Sequence, residues 1–259
     1  MDIGRTFGAE QGLTCLVGAG GKKTTLYALA NRLDRAVVTA TVRIPIFDRS
    51  VESVVVTTDP LSTVQSHTGP WPLGVVPERE DDRYTGYDPD VVNTIATKHD
   101  GPVLVKADGA RTREFKAPGE HEPRIPSETD VVIPVASVEV VGQPLAEEHV
   151  HRPARVAALT DLESGDTVTK EAVATVLAHP DGGCKDVPPE AAVVPLLNKV
   201  DHENDAAIGR EIARLVFDRL DERGDRGGGQ RDDEAATEQL SRIVLARMID
   251  ETVVDVVSR

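Results

Sequence analysis

The chain has 259 residues, room for one large α/β domain or two small ones. Its 44 acidic residues outnumber 29 lysines and arginines, and the resulting net charge of −15 repels a nucleic-acid backbone. No apolar run approaches the ~20 residues that a membrane-spanning helix needs. The stretch MDIGRTFGAEQG lacks the basic and apolar regions of a signal peptide. Two cysteines, Cys15 and Cys184, make no disulfide framework. A cytoplasmic protein is therefore expected, with neither nucleic acid nor membrane as partner. The acidic excess with few lysines also suits a halophilic protein, which should lose structure in dilute buffer; a salt titration tests this.

In chain order, Leu13 to Val17 reads as a first strand, followed by a glycine turn and a helix from Thr24 to Leu33. Ala36 to Val42 and Val51 to Thr57 read as further strands. The next stretch, to about Asp90, is rich in proline, glycine and charge, and reads as loop with a short helix after Pro89. Pro102 to Lys106 is a buried-type strand, and Asp130 to Ala136 and Ala192 to Leu197 follow it. Thr169 to Ala178 has helical spacing, with Thr169 as N-cap. Asp205 to Leu220 is a helix with Ile208, Ile212, Leu215 and Val216 on one face. Asp221 to Asp233 is polar and glycine-rich, and reads as a flexible loop. A helix from Ala235 to Asp250 and a strand from Thr252 to Val257 close the chain. The expected organisation is an α/β domain over residues 1–220, the loop at 221–233, and a carboxy-terminal piece at 234–259 packed on the same body. Its sheet is mostly parallel with helices on both faces.

The glycine turn is Gly18-Ala19-Gly20-Gly21-Lys22-Lys23-Thr24-Thr25. Strand, glycine loop and helix start are the order that phosphate binding needs. Glycines let backbone N–H groups approach an anion, and the helix start adds unpaired N–H groups and a positive dipole end. Lys22 can reach the β- and γ-phosphates of ATP or GTP. A threonine hydroxyl, Thr24 or Thr25, can ligate Mg²⁺. The pattern G-x-x-x-x-G-K-[ST] is met only in part, because Lys23 stands where the hydroxyl residue belongs.

A buried strand ending in an acid is the second part of such a site, and Val103 to Asp108 fits it, with Asp108 on the Mg²⁺ side. Lys106 is out of place in a buried strand, and reaches either a cleft or an acid. The segment that follows is long, charged and stiffened by prolines. Arg111, Arg113 and Lys116 are candidates to clamp a phosphate or a second anionic substrate, and His121 and Glu122 for acid–base work or metal binding. A solvated loop laced with ion pairs has the same composition. Late in the chain, Asn198-Lys199-Val200-Asp201 follows a strand and resembles the guanine-reading N-K-x-D of GTPases. In that role Asp201 accepts from guanine, Lys199 lies on the base face, and Asn198 ties the segment to the glycine loop. An ordinary turn or N-cap reads the same way. His151-Arg152-Pro153 is either a substrate contact or a helix start.

Together these blocks resemble the YqeC family. The likeness rests on V-G-A-G-G-K at Val17 to Lys22, A-D-G-A-R at Ala107 to Arg111 and K-A-P-G-E-H-E-P-R-I-P at Lys116 to Pro126. V-G-Q-P-L at Val141 to Leu145, H-R-P at His151 to Pro153, His179-Pro180 and L-N-K-V-D at Leu197 to Asp201 extend it. The resemblance implies a P-loop NTPase-like fold and a nucleotide-dependent accessory role in maturing a selenium- or molybdenum-containing hydroxylase or its cofactor. It implies Lys22, Asp108, Arg111, Lys116, His121 and Glu122 as motif residues. The chain departs from the family in Lys23, where a threonine is usual, and in Arg43, where a lysine is usual. A holder of a pterin dinucleotide-like cofactor and a small-molecule kinase are the alternatives.

Overall fold

The computed structural model describes residues 2–226 and 239–259. A short helix α1 (Ile3–Phe7) precedes β1 (Leu13–Gly18), and the glycine loop leads into α2 (Lys22–Ala30). Next come β2 (Val37–Ala40), β3 (Ile44–Pro45), β4 (Ser53–Val56), α3 (Pro60–Ser66), β5 (Leu73–Val76), β6 (Arg83–Tyr84) and α4 (Pro89–Lys98). β7 (Val103–Lys106), β8 (Phe115–Lys116), β9 (Val131–Ser137), β10 (Val150–His151), α5 (Pro153–Leu159) and α6 (Lys170–Ala178) follow. The chain ends in β11 (Ala192–Val193), β12 (Leu196–Asn198), α7 (Glu203–Arg226), β13 (Arg242–Arg247) and β14 (Thr252–Ser258).

The main sheet runs β14-β13-β12-β9-β1-β7-β2-β5-β4, with β11 also on β9. Every pairing in it is parallel except β13 with β14. Its central strands are buried along their length, as β9 is from Val131 to Ser137, because helices cover both faces of a parallel sheet. The fold is thus α/β and consistent with a P-loop NTPase-like architecture. No helix among the described residues is long and apolar enough to cross a membrane.

Helix starts follow local chemistry. Thr169 caps α6 by accepting from the Ala172 N–H at 3.2 Å. Asp59-Pro60 and Asp88-Pro89 open α3 and α4 in the same way, each aspartate as N-cap and each proline in the first turn.

Three expectations are corrected. The stretch before Asp90 holds α3 and the strand β5, which lies between β2 and β4. Helix α7 runs on through Asp221 to Arg226, where a flexible loop was expected; the remainder of that loop, residues 227–233, lies outside the described residues. Arg242 to Arg247 is a strand, not the end of a helix, because it pairs with β12 on one side and β14 on the other. Residues 235–238 of the expected helix also lie outside the described residues.

Candidate functional site

The carboxyl ends of β1, β7 and β2 open into one cleft of about 1080 Å³, the edge where α/β sheets place ligands. Two small ribbons wall it, the parallel pair β8–β10 and the antiparallel pair β3–β6. Eight cationic residues line it: Lys22, Lys23, Arg43, Arg83, Lys106, Arg111, Arg113 and Arg152. Only three carboxylates share the wall, Glu114, Glu122 and Glu147. In a chain of net charge −15, these cations make the cleft a local positive field.

The glycine loop is locked into the body. Gly20 has φ +88°, and a side chain there would press on the Ser137 N–H and the Glu114 carbonyl. Gly21 has φ +122°, and its missing Cβ makes room for the Asn198 amide. Three loop N–H groups turn inward: Gly18 to Asp108 Oδ2 at 2.9 Å, Ala19 to the Val135 carbonyl at 2.8 Å and Gly20 to the Arg113 carbonyl at 2.8 Å. These three were expected to face the anion. The donors left for it are the N–H groups of Gly21, Lys22, Lys23 and Thr24, which open α2 and find no acceptor among the described residues.

Asp108 is the hub beneath this loop. It pairs with Lys22, and its Oδ2 accepts from Lys116 Nζ at 2.9 Å as well as from Gly18. Burial opposes the Asp108 charge, yet Lys22 and Lys116 hold the carboxyl below its ordinary range. Lys116 also donates to Glu122 Oε2 at 2.8 Å, which accepts from Arg152 Nη1 at 2.6 Å. Burial alone would raise Glu122, but Arg152 and Lys116 overcome it and bring the carboxyl to about 2. This depressed pKa contributes stability above the ordinary value of 4.5, lost as pH falls from there through about 2. Glu122→Gln should therefore flatten the acid limb of the stability curve in that window, measured by urea denaturation at successive pH values.

Lys106 does reach the cleft. Its ammonium donates to the Arg43 carbonyl at 2.8 Å and makes no ion pair among the described residues. Burial, then repulsion from Lys22, lowers its pKa to about 7. His151, which also lines the cleft, is held to about 4 by burial and the charges of Lys116 and Arg152. Backbone strain gathers here as well: Arg111, Thr112 and Arg152 have φ of 47°, 58° and 61°, and such strain clusters at ligand sites.

A model of the family described as YqeC protein matches residues 14–154, more than half of the chain. The chain belongs to the YqeC family. The uncharacterized protein YqeC of Escherichia coli (strain K12) is 29% identical over 210 residues, covering 76% of this chain and 79% of its own. Every residue that lines the cleft lies inside the matched YqeC segment.

The YqeC motif residues divide by position. Lys22, Arg111 and Glu122 line the cleft, and Asp108 and Lys116 support it from below. His121 is exposed and is not among the lining residues. Gly18 and Thr25 also lie off the cleft wall; Thr25 is buried and donates to the Gly21 carbonyl at 3.1 Å. Asn198 does tie its segment to the loop: Nδ2 donates to the Gly20 carbonyl at 2.8 Å and Oδ1 accepts from the Met248 N–H at 3.0 Å. Lys199 is held by Glu114 and Glu139, each at 2.7 Å, and Asp201 is exposed. Sequence reasoning missed Arg83, which the β3–β6 ribbon brings in from a stretch read as loop and which no spacing signalled.

Asn198→Ala would leave the buried Gly20 carbonyl and Met248 N–H without partners. The expected loss is about 2–3 kcal/mol of folding stability, read from the urea midpoint.

The donor set does not suit Mg²⁺. Both oxygens of Asp108 are taken, Glu122 is paired twice, and Lys23 occupies the hydroxyl position. Thr24 is the one loop hydroxyl on the cleft wall. No group of three or more His, Cys, Asp or Glu that could hold a metal ion occurs among the described residues.

Proposed function

We propose that this chain binds the polyphosphate of a nucleoside triphosphate in the cleft, GTP in preference to ATP, as an accessory protein in maturing a molybdenum- or selenium-containing hydroxylase or its cofactor. The observation that carries the phosphate reading is the opening of α2. Four free N–H groups and the helix dipole meet Lys22, Lys23, Lys106 and Arg111 around one cleft. Guanine preference rests on the Asn198 tether, the contact that an N-K-x-D segment needs, with the exposed Asp201 carboxylate left to accept from the base. The maturation role rests on the family resemblance alone.

Charge neutralisation is the chemistry that the cleft offers, which lowers the barrier to phosphoryl cleavage or transfer. A second reading, a holder that does not hydrolyse, is favoured by one feature. The carboxylates Asp108 and Glu122 are both bound to cations and so are poorly placed to take a proton from water. Phosphate release followed alongside GTP titration separates the two: tight binding with no release supports the holder.

Lys106 gives an independent signature. With its pKa near 7, it is largely neutral at pH 8 and should take up a proton when a polyphosphate arrives. Binding enthalpies in buffers of different ionisation heat should show uptake at pH 8 that fades toward pH 6, and Lys106→Met should abolish it.

A further inference from the structure

We infer that the cleft takes its polyphosphate without a divalent metal, and that the Lys23 ammonium supplies the positive charge the ion would bring. The inference rests on the phosphate reading above and deepens it.

The first support is position. In the common phosphate loop, the residue after the loop lysine gives a hydroxyl to Mg²⁺. Here that residue is Lys23, the second residue of α2, and it lines the cleft. The Thr25 hydroxyl is committed to the Gly21 carbonyl. Thr24 lies one residue past Lys23, about 100° further round the helix.

The second support is the state of the acids. Mg²⁺ is usually held by one or two carboxylates together with phosphates and waters. If Lys22 turned toward a ligand, it would release Asp108 Oδ1, but Oδ2 would still accept from Gly18 and Lys116 and hold the carboxylate beneath the loop. Glu122 would still bind Lys116 and Arg152.

The third support is charge balance. Lys23, Lys106, Arg111 and Arg113 line the cleft and form no ion pair among the described residues. With its last pKa near 6, a free triphosphate ester carries about four negative charges at neutral pH, and its magnesium complex about two. Counting Lys106 as protonated on binding and subtracting the Glu147 carboxylate on the same wall, these groups bring about three net positive charges to the free anion. A dication entering among them would be repelled, and it would displace the ammonium groups that already do its work.

The test is calorimetric titration of inorganic tripolyphosphate, and separately of GTP, in EDTA and then in excess Mg²⁺. The wild-type chain should bind at least as tightly in EDTA as in Mg²⁺. Lys23→Thr restores the hydroxyl of the common loop; it should lose about tenfold or more in EDTA and regain affinity when Mg²⁺ is added. Lys23→Arg should behave as wild type. Wild-type affinity about tenfold higher in Mg²⁺ than in EDTA would overturn the metal-free inference and leave the phosphate reading intact. So would a Lys23→Thr variant as tight in EDTA as wild type. No binding of either anion under either condition would overturn both. Lys23 is partly exposed at a helix start, and an unchanged melting temperature would show that these variants keep the fold.

Discussion

Lys22→Ala should weaken tripolyphosphate and GTP binding by about 100-fold while leaving the protein folded. Lys22 stands at the first residue of α2, between the free N–H groups and Asp108. Its ammonium can exchange Asp108 and the Gly18 carbonyl for a phosphate oxygen with a small rotation of a long side chain. A charge-assisted contact to phosphate, lost from a desolvated site, is worth about 3 kcal/mol, which is roughly the 100-fold stated. The fold should survive because Asp108 keeps its bonds to Lys116 and Gly18. Calorimetry measures the affinity and a urea curve the stability. A variant that binds as well as wild type would remove Lys22 from the site.

Asp108→Ala should act in the opposite way, first on the fold. It removes the anion shared by two buried ammonium groups and leaves the Gly18 N–H without its acceptor. Lys116 retains Glu122, but Lys22 would keep only the Gly18 carbonyl. Taking one partner from a buried ion pair costs about 3–5 kcal/mol, or about 10 °C in melting temperature for a chain of this size. Added tripolyphosphate should return part of the loss, since an anion bound to the native state replaces the missing charge and stabilises by mass action. Differential scanning fluorimetry with and without the anion reads both effects. A melting temperature that tripolyphosphate does not move would argue that Lys22 and its neighbours face no anion site.

Much of the architecture was legible because its strands are short apolar runs between punctuating residues. β1, β7 and β9 follow that rule, and Thr169 announces α6 as a cap. β5 escaped notice because Leu73-Gly74-Val75-Val76 is only four residues long and is flanked by proline and charge. Its strand character comes from the neighbours it pairs with, β2 and β4. Arg242 to Arg247 carries an apolar run too short to favour either period, and pairing with β12 decided it.

The site was legible where chain order and function coincide, as in the glycine loop and the strand into Asp108. Direction was not legible. Glycine spacing cannot tell that the N–H groups of Gly18, Ala19 and Gly20 bind the body while those from Gly21 onward stay free. Nor does a run of charges tell that Lys116 lies buried under the loop while His121 faces outward. Those outcomes depend on which wall each residue meets in three dimensions. Lys106 is the reverse case: a charge inside an apolar strand is so costly without a purpose that its place in the sequence already pointed to a cleft or an acid.

The central claim is that the start of α2 is a polyphosphate site, and the most direct measurement is calorimetric titration of tripolyphosphate, GTP and ATP into wild type and Lys22→Ala. All three should bind the wild-type chain saturably, GTP tightest, with affinity collapsing in the variant. Heats that show no binding of any of the three to the wild-type chain, or equal affinities for both proteins, would contradict it.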